Sequence, residues 1–208
     1  MKRALSWLLA GMIFLLTCSC KSGANFTVHN QCAHPAYASV NRGDLVTIPP
    51  YQTQVFYIDT DSQNLITGAV YRTVPVTLYG ETYAMILQDS PVTYTDSTTI
   101  KVQAGRTLNA YLNPNRACVK VVNNSTRQIE RAEIWKHTSL SHSRVSSLVN
   151  ISAGSSAFQR VDYATPNNQF YYQVELYFAG ELEPLVYGDV NNILNKDEQF
   201  VVTYNDPE

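Results

Sequence analysis

In this chain of 208 residues, His137 and His142 bracket Thr138-Ser139-Leu140-Ser141, the one place where His and Ser gather. A Ser and a His make a nucleophile when an acid orients the imidazole. No Gly-x-Ser-x-Gly elbow occurs anywhere in the chain, and the segment reads as a polar surface loop. The two His stand five residues apart with no Cys or carboxylate at ligand spacing beside them, which is not a zinc pattern. Asp59, Asp61 and Gln63 open like a calcium loop, since alternate oxygen side chains can face one cation. Asn64 then stands where the sharp turn requires Gly, and Val70 where a bidentate Glu should close the site, so an acidic turn is expected. Glycosidase carboxylates need only be near in space, and nothing in the sequence selects a pair. No enzymatic activity, cofactor or metal is expected.

Rings and thiols remain. Fourteen Tyr give the chain an unusual supply of side chains with a flat apolar body and a polar tip, suited to glycan or protein recognition. Tyr171 and Tyr177 share one side of an alternating run and Tyr187 lies on the next candidate strand, so these three are the candidate binding residues. The competing expectation is that such rings pack across strands or between modules. Two Cys, Cys32 and Cys118, lie beyond the first twenty residues. In an oxidising compartment they can pair, closing a loop worth roughly 4 kcal/mol in the chain-entropy account, or remain two free thiols.

The elements that must position these groups are strands. Phe170, Tyr172, Val174, Leu176 and Phe178 alternate with Tyr171, Gln173, Glu175 and Tyr177, a period of two that predicts a half-buried strand with the even positions inward. Phe26 and Val28, Leu45 to Ile48 before Pro49 and Pro50, and Val55 with Phe56 repeat the pattern. Ser125 to His137 is ambiguous, because Ser125 and Gln128 can form a capping box; its match to the first half favours a strand.

That match is an internal repeat. Phe26, Val28 and Asn30 correspond to Val119, Val121 and Asn123, and Tyr111 and Pro114 to Tyr204 and Pro207, all at an offset of 93. Leu45 to Thr53 matches Leu148 to Ser156 at 103, and Val76, Leu78 and Tyr79 match Val174, Leu176 and Tyr177 at 98. The expectation is an all-β chain of two tandem antiparallel sandwiches, immunoglobulin-like or transthyretin-like, over residues 25–114 and 117–206, joined by Asn113-Pro114-Asn115-Arg116. One larger β domain is the alternative. The second copy resembles a β-sandwich module recurrent in bacterial exported proteins, carried by Val119, Val121, Asn123, Ser125, Ile129, Ala132, Ile134 and Ile151-Ser152-Ala153-Gly154-Ser155. That resemblance implies a fold and no activity. The first copy departs from it, with Pro50 and Tyr51 at the Gly-containing turn.

Residues 1–19 supply an address: Lys2 and Arg3, an apolar run from Trp7 to Leu16, then Thr17, Cys18, Ser19 and Cys20. The apolar run is about half the roughly 20 residues needed to span a membrane. Small residues and Cys after such a run resemble the lipobox of bacterial lipoproteins, which implies that the Cys is diacylated and becomes the mature N-terminus. Cys20 is preferred because the small Ser19 precedes it; Cys18 is the alternative. In that family Asp after the acylated Cys retains a protein at the inner membrane, and Lys21 in that place points to the outer membrane of a bacterial cell envelope. Residues 20–24 are the tether, and the partners expected are the membrane, through the lipid, and a protein or glycan. The mature chain keeps 13 basic against 17 acidic residues, a net of about −4, with no basic stripe, so nucleic acid is not a partner. A non-enzymatic binding protein is the leading expectation, with a subunit of an envelope assembly next and an envelope-polymer hydrolase last.

Overall fold

The computed structural model describes residues 23–60, 69–87 and 90–206. The signal, Cys18, Cys20 and the tether as far as residue 22, Asp61, Gln63 and Asn64 of the calcium-like run, and Pro207 of the repeat lie outside the described residues. The described chain is all-β and of sandwich type. Its first half forms β1 (Ala24–Asn30), β2 (Ala36–Val40), β3 (Val46–Ile48), β4 (Thr53–Ile58), β5 (Tyr71–Gly80), β6 (Met85–Leu87), β7 (Ser90–Thr95), β8 (Ser97–Gln103) and β9 (Thr107–Leu112). The second forms β10 (Ala117–Asn123), β11 (Ile129–His137), β12 (His142–Ile151), β13 (Ser156–Val161), β14 (Tyr171–Tyr177), β15 (Leu185–Tyr187) and β16 (Gln199–Tyr204).

Strand order in the first half is β4-β1-β9 in one sheet and β3-β2-β5-β8 in the other, with β6 and β7 as a separate hairpin. The second half builds β13-β10-β16 and β12-β11-β14-β15. In each half the first strand pairs in parallel with the last, β1 with β9 and β10 with β16. Alternate residues of facing sheets meet in two buried clusters. Phe26, Val28, Ile48, Val74 and Leu112 anchor one, and Val119, Val121, Ile134, Tyr172 and Leu176 the other. The segment at Ile129 to His137 is a strand because Ile129, Ala132 and Ile134 are buried against that second cluster, which overrides its helical composition.

Local clamps also correspond. Asn30 Nδ2 donates to His34 O, Ile48 O and Pro49 O, and its Oδ1 accepts from Cys32 N at 3.0 Å. Asn123 Nδ2 donates to Arg127 O and Ile151 O, and its Oδ1 accepts from Ser125 N at 3.1 Å. Gly154 takes φ +69°, and Tyr51 adopts +58° in the corresponding turn. One correspondence is corrected by the register. Leu112 pairs with Asn30 and Tyr204 with Asn123, so the last strands match at an offset of 92, with Leu112 the counterpart of Tyr204. Tyr111 is accordingly exposed and Tyr204 buried, since a slip of one residue changes the face.

The halves meet across a dense polar joint. Phe158 of β13 stacks on Tyr37 and Tyr79 of the first half, at ring separations of 6.0 and 6.5 Å. Glu81, only 1% exposed, accepts from Tyr37 Oη at 3.1 Å, Lys120 Nζ at 2.8 Å and Gln199 Nε2. Asp197 accepts from Ala33 N at 2.9 Å and Thr82 Oγ1 at 2.5 Å, and Arg160 grips Asp96 with both terminal nitrogens. Asn115 and Arg116 of the linker donate their N–H groups to Thr82 O. Cys32 and Cys118 flank this joint as two buried free thiols; the bridge considered between them is not formed. Cys32 Sγ donates to Leu112 O at 3.3 Å, while Cys118 Sγ accepts from Gln199 Nε2 at 3.5 Å.

Candidate functional site

Along β14 the even positions Tyr172, Val174 and Leu176 are buried, which turns Tyr171, Gln173, Glu175 and Tyr177 to the outer face. The strand β11 lies antiparallel beside it and places His137 opposite Tyr171, Trp135 opposite Gln173, Glu133 opposite Glu175, and Arg131 opposite Tyr177. On the other side β12 brings His142 beside His137 and Arg144 beside Trp135. A bulge between Ile134 and Trp135 shifts that register, re-aiming the Arg144 end of β12.

The upper part of this face is a stack of rings. Tyr171 lies parallel to His137 at 4.8 Å, His137 stacks on His142 at 5.6 Å, and Trp135 leans on His142 at 5.8 Å. Trp135, His137, His142, Gln173 and Glu175 line a shallow depression of about 270 Å³. Of the residues lining it, Trp135 and His137 have their Nε1 and Nε2 atoms buried without a hydrogen-bond partner among the described residues. Leaving such an atom unpaired costs about 1–3 kcal/mol, so each is a standing demand for an acceptor or donor.

The lower part is ionic. Glu133 and Glu175 face each other directly, an arrangement that repels unless compensated. Glu133 is buried and accepts from Arg144 Nη1 at 2.6 Å and Arg131 Nε at 3.1 Å. Tyr177 Oη donates to Glu175 Oε2 at 2.7 Å, and that bond pushes the Tyr177 hydroxyl pKa upward, with desolvation adding to it. Arg131 lies over the Tyr177 ring at 4.3 Å.

Tyr171 and Tyr177 therefore share one face, as the alternation predicts, roughly 20 Å apart along the strand at about 3.3 Å per residue. Tyr187 does not join them. It pairs with the inward Val174 and packs against the buried cluster, so the third candidate residue is removed from this face. The His and Ser cluster resolves into a hairpin end: Thr138 Oγ1 bonds Ser141, and the two His stack as cross-strand neighbours. Asp59 is exposed at the end of β4, and Val70 is partly buried. Among the described residues no group of three or more His, Cys, Asp or Glu is placed to hold a metal ion.

Trp135, Gln173, Glu133, Arg131 and Arg144 escape the sequence reading. A signal for the first four was present, because each sits on the outward parity of an alternating strand; the pairing of the strands was not. A second recess, of about 290 Å³, lies by the joint and is lined by Arg116, Arg160, Asp162 and Tyr172 among others. Its charges are already matched, Arg116 by Asp162 and Arg160 by Asp96, and Tyr172 Oη donates to Asp162 O.

No family model matches this chain, and no curated protein does. Solved structures give remote likenesses. The Bacillus anthracis TIE protein is 12% identical over 88% of this chain, with a TM-score of 0.31, and this chain spans about a third (34%) of that protein's length. A fimbrial assembly protein from Parabacteroides distasonis is 10% identical over 87% of this chain and 90% of its own, with a TM-score of 0.24. The major pilin from Streptococcus pyogenes is 7% identical, covering 89% and 98%, also at 0.24. Likeness at this level carries no argument about function.

Proposed function

We propose that this protein is a lipid-anchored component of a bacterial cell envelope, held in the outer membrane through Cys20, that binds a protein or glycan partner on the outer face of β11 and β14 and has no enzymatic activity. The observation that carries the binding face is a depression walled by stacked rings, two of whose residues hold buried atoms, Trp135 Nε1 and His137 Nε2, with no partner among the described residues. A partner with a flat apolar body fits the rings by stacking, and its hydroxyl or carbonyl oxygens reach the two buried nitrogens once the rings turn outward to receive it.

Support also comes from the first half. Tyr79, the counterpart of Tyr177, and Tyr37 form the same outer surface on the β2 and β5 sheet, and there Phe158 covers them. The corresponding surface of the second half has no such cover among the described residues.

The test exploits composition. The chain has two Trp, Trp7 in the signal and Trp135 in the depression, so cleavage leaves Trp135 as the sole tryptophan fluorophore. Ligands found on glycan and protein arrays should change its emission on titration. Trp135→Phe keeps an aromatic ring and removes the N–H, and should weaken binding about five- to tenfold in calorimetric titration, which needs no tryptophan, the value of one net hydrogen bond. Replacing Tyr171 and Tyr177 together by Ser should abolish binding with folding intact. Unaltered affinity in both variants removes the face from consideration, and co-purification with an envelope complex in place of ligand binding shifts the assignment to an assembly subunit.

A further inference from the structure

Gly23 fixes where the chain enters the fold. An ideal Cβ built there would lie 2.0 Å from Tyr57 Cζ, so the backbone passes beneath that ring, and Gly23 O accepts from Gly105 N at 2.9 Å. Cys20 is three residues upstream. Three residues reach at most about 11 Å, and five, from Cys18, at most about 18 Å. The headgroup layer on one side of a bilayer is about 5–7 Å thick. A chain acylated at Cys20 therefore holds this end of the first half at or just above the headgroups.

The surface at that end suits the position. Tyr57 and Tyr71 are 61% and 54% exposed and stand on the outer faces of the two opposing sheets, flanking the entry point. Between and beside them are three exposed cations. Arg106 lies in the turn from β8 to β9, Arg72 donates to Asp59 O, and Lys101 Nζ sits 4.6 Å above the Tyr71 ring. Two described acidic residues lie toward this end, Asp59 after β4 and Asp44 in the turn from β2 to β3. The mature chain is acidic as a whole, at a net of about −4, so these cations run against its overall sign.

We propose that this end is a membrane-seating surface, with Tyr57 and Tyr71 at the level of the interface and Arg72, Lys101 and Arg106 against the phosphates of anionic lipid. The proposal rests on the acylation of Cys20 proposed above. Tyrosines at both flanks hold the tip at the boundary, where an apolar ring and a polar hydroxyl are both solvated, and the cations favour a negative surface.

The full chain, matured and acylated, would be reconstituted in vesicles of phosphatidylethanolamine with phosphatidylglycerol and labelled with hydroxyl radicals. Peptide mapping would then be compared with Cys20→Ser in the same vesicle suspension. Labelling of Tyr57 and Tyr71 should fall several-fold in the acylated chain alone. Tyr51 and Tyr111, 69% and 54% exposed toward the other end of β1, should not change. Replacing Arg72 and Arg106 by Ser should lower the seated-to-lifted ratio about fivefold each and restore labelling. Exchanging phosphatidylglycerol for phosphatidylcholine should do the same with no change to the protein. Intact mass separates the two ideas. A chain without acyl mass overturns the anchor and the seating together. An acylated chain whose Tyr57 and Tyr71 label as in Cys20→Ser, or whose protection ignores lipid charge, overturns the seating and leaves the anchor standing.

Discussion

The two thiols show how position sets reactivity. Burial pushes Cys32 up to about 11 against the opposing influence of the Thr82 hydroxyl, and Cys118 up to about 12 against a hydrogen bond from Gln199. The ordinary value of a solvated thiol, which the unfolded chain approaches, is about 9. A folded value above the unfolded one means that the folded state retains its protons longer, so the contribution to stability is whole below about pH 9 and is lost as pH rises through the folded values. Iodoacetamide at pH 8 should accordingly leave the native protein unmodified and label it once denatured, with alkaline loss of stability beginning above pH 9. Cys32→Ser should soften that loss without disturbing the turn, since Ser125 holds the corresponding position. Rapid modification of the folded protein at pH 8 would show the thiols to be reactive. Sequence identified these two Cys as the pair beyond the signal, but their pairing depends on how the halves meet, which no local pattern encodes.

At the level of elements, each half is tied together by a buried Asn at the end of its first strand. Asn123 links the β10 end, the following turn and Ile151 at the end of β12 through Arg127 O, Ile151 O, Ser125 N and Ser125 Oγ. At about 1 kcal/mol for each net bond, Asn123→Ala should lower stability by about 2–4 kcal/mol in denaturant unfolding. A loss under 1 kcal/mol would mean that the turn re-forms around water. Alternation made β14 legible residue by residue, and the repeat settled β11 as a strand. Short elements were less readable. Three residues of β15 do not reveal which parity faces inward, so Tyr187 was misplaced. Matching Tyr111 to Tyr204 by identity missed the one-residue shift that hydrogen-bond register imposes. The depression around Trp135 was invisible because it depends on the β11–β12 hairpin and its bulge, which join residues that sequence periodicity treats separately.

For the molecule as a whole, Glu81 concentrates the coupling between halves. Its carboxylate serves Tyr37 on its own side and Lys120 and Gln199 on the other. Removing the carboxylate leaves Tyr37 and Gln199 short of an acceptor, at about 1–3 kcal/mol for each unsatisfied group, while the partly exposed Lys120 turns to water. Glu81→Ala should therefore destabilise the protein by about the sum of those two losses and split a single calorimetric unfolding transition into two. One unshifted transition would show that Phe158 and the Arg160–Asp96 pair suffice to couple the halves. The parallel closure of each half matters differently. In the first half, six residue pairs from Asn25 with Thr107 to Asn30 with Leu112 lie between the strand where the chain enters and the strand where it leaves. Tension applied between these two ends runs along both strands in opposite directions, so the ladder is loaded in shear and its bonds must yield together instead of unzipping in turn. Held at one end of the first half and pulled at the other, such a ladder resists mechanical load as a unit.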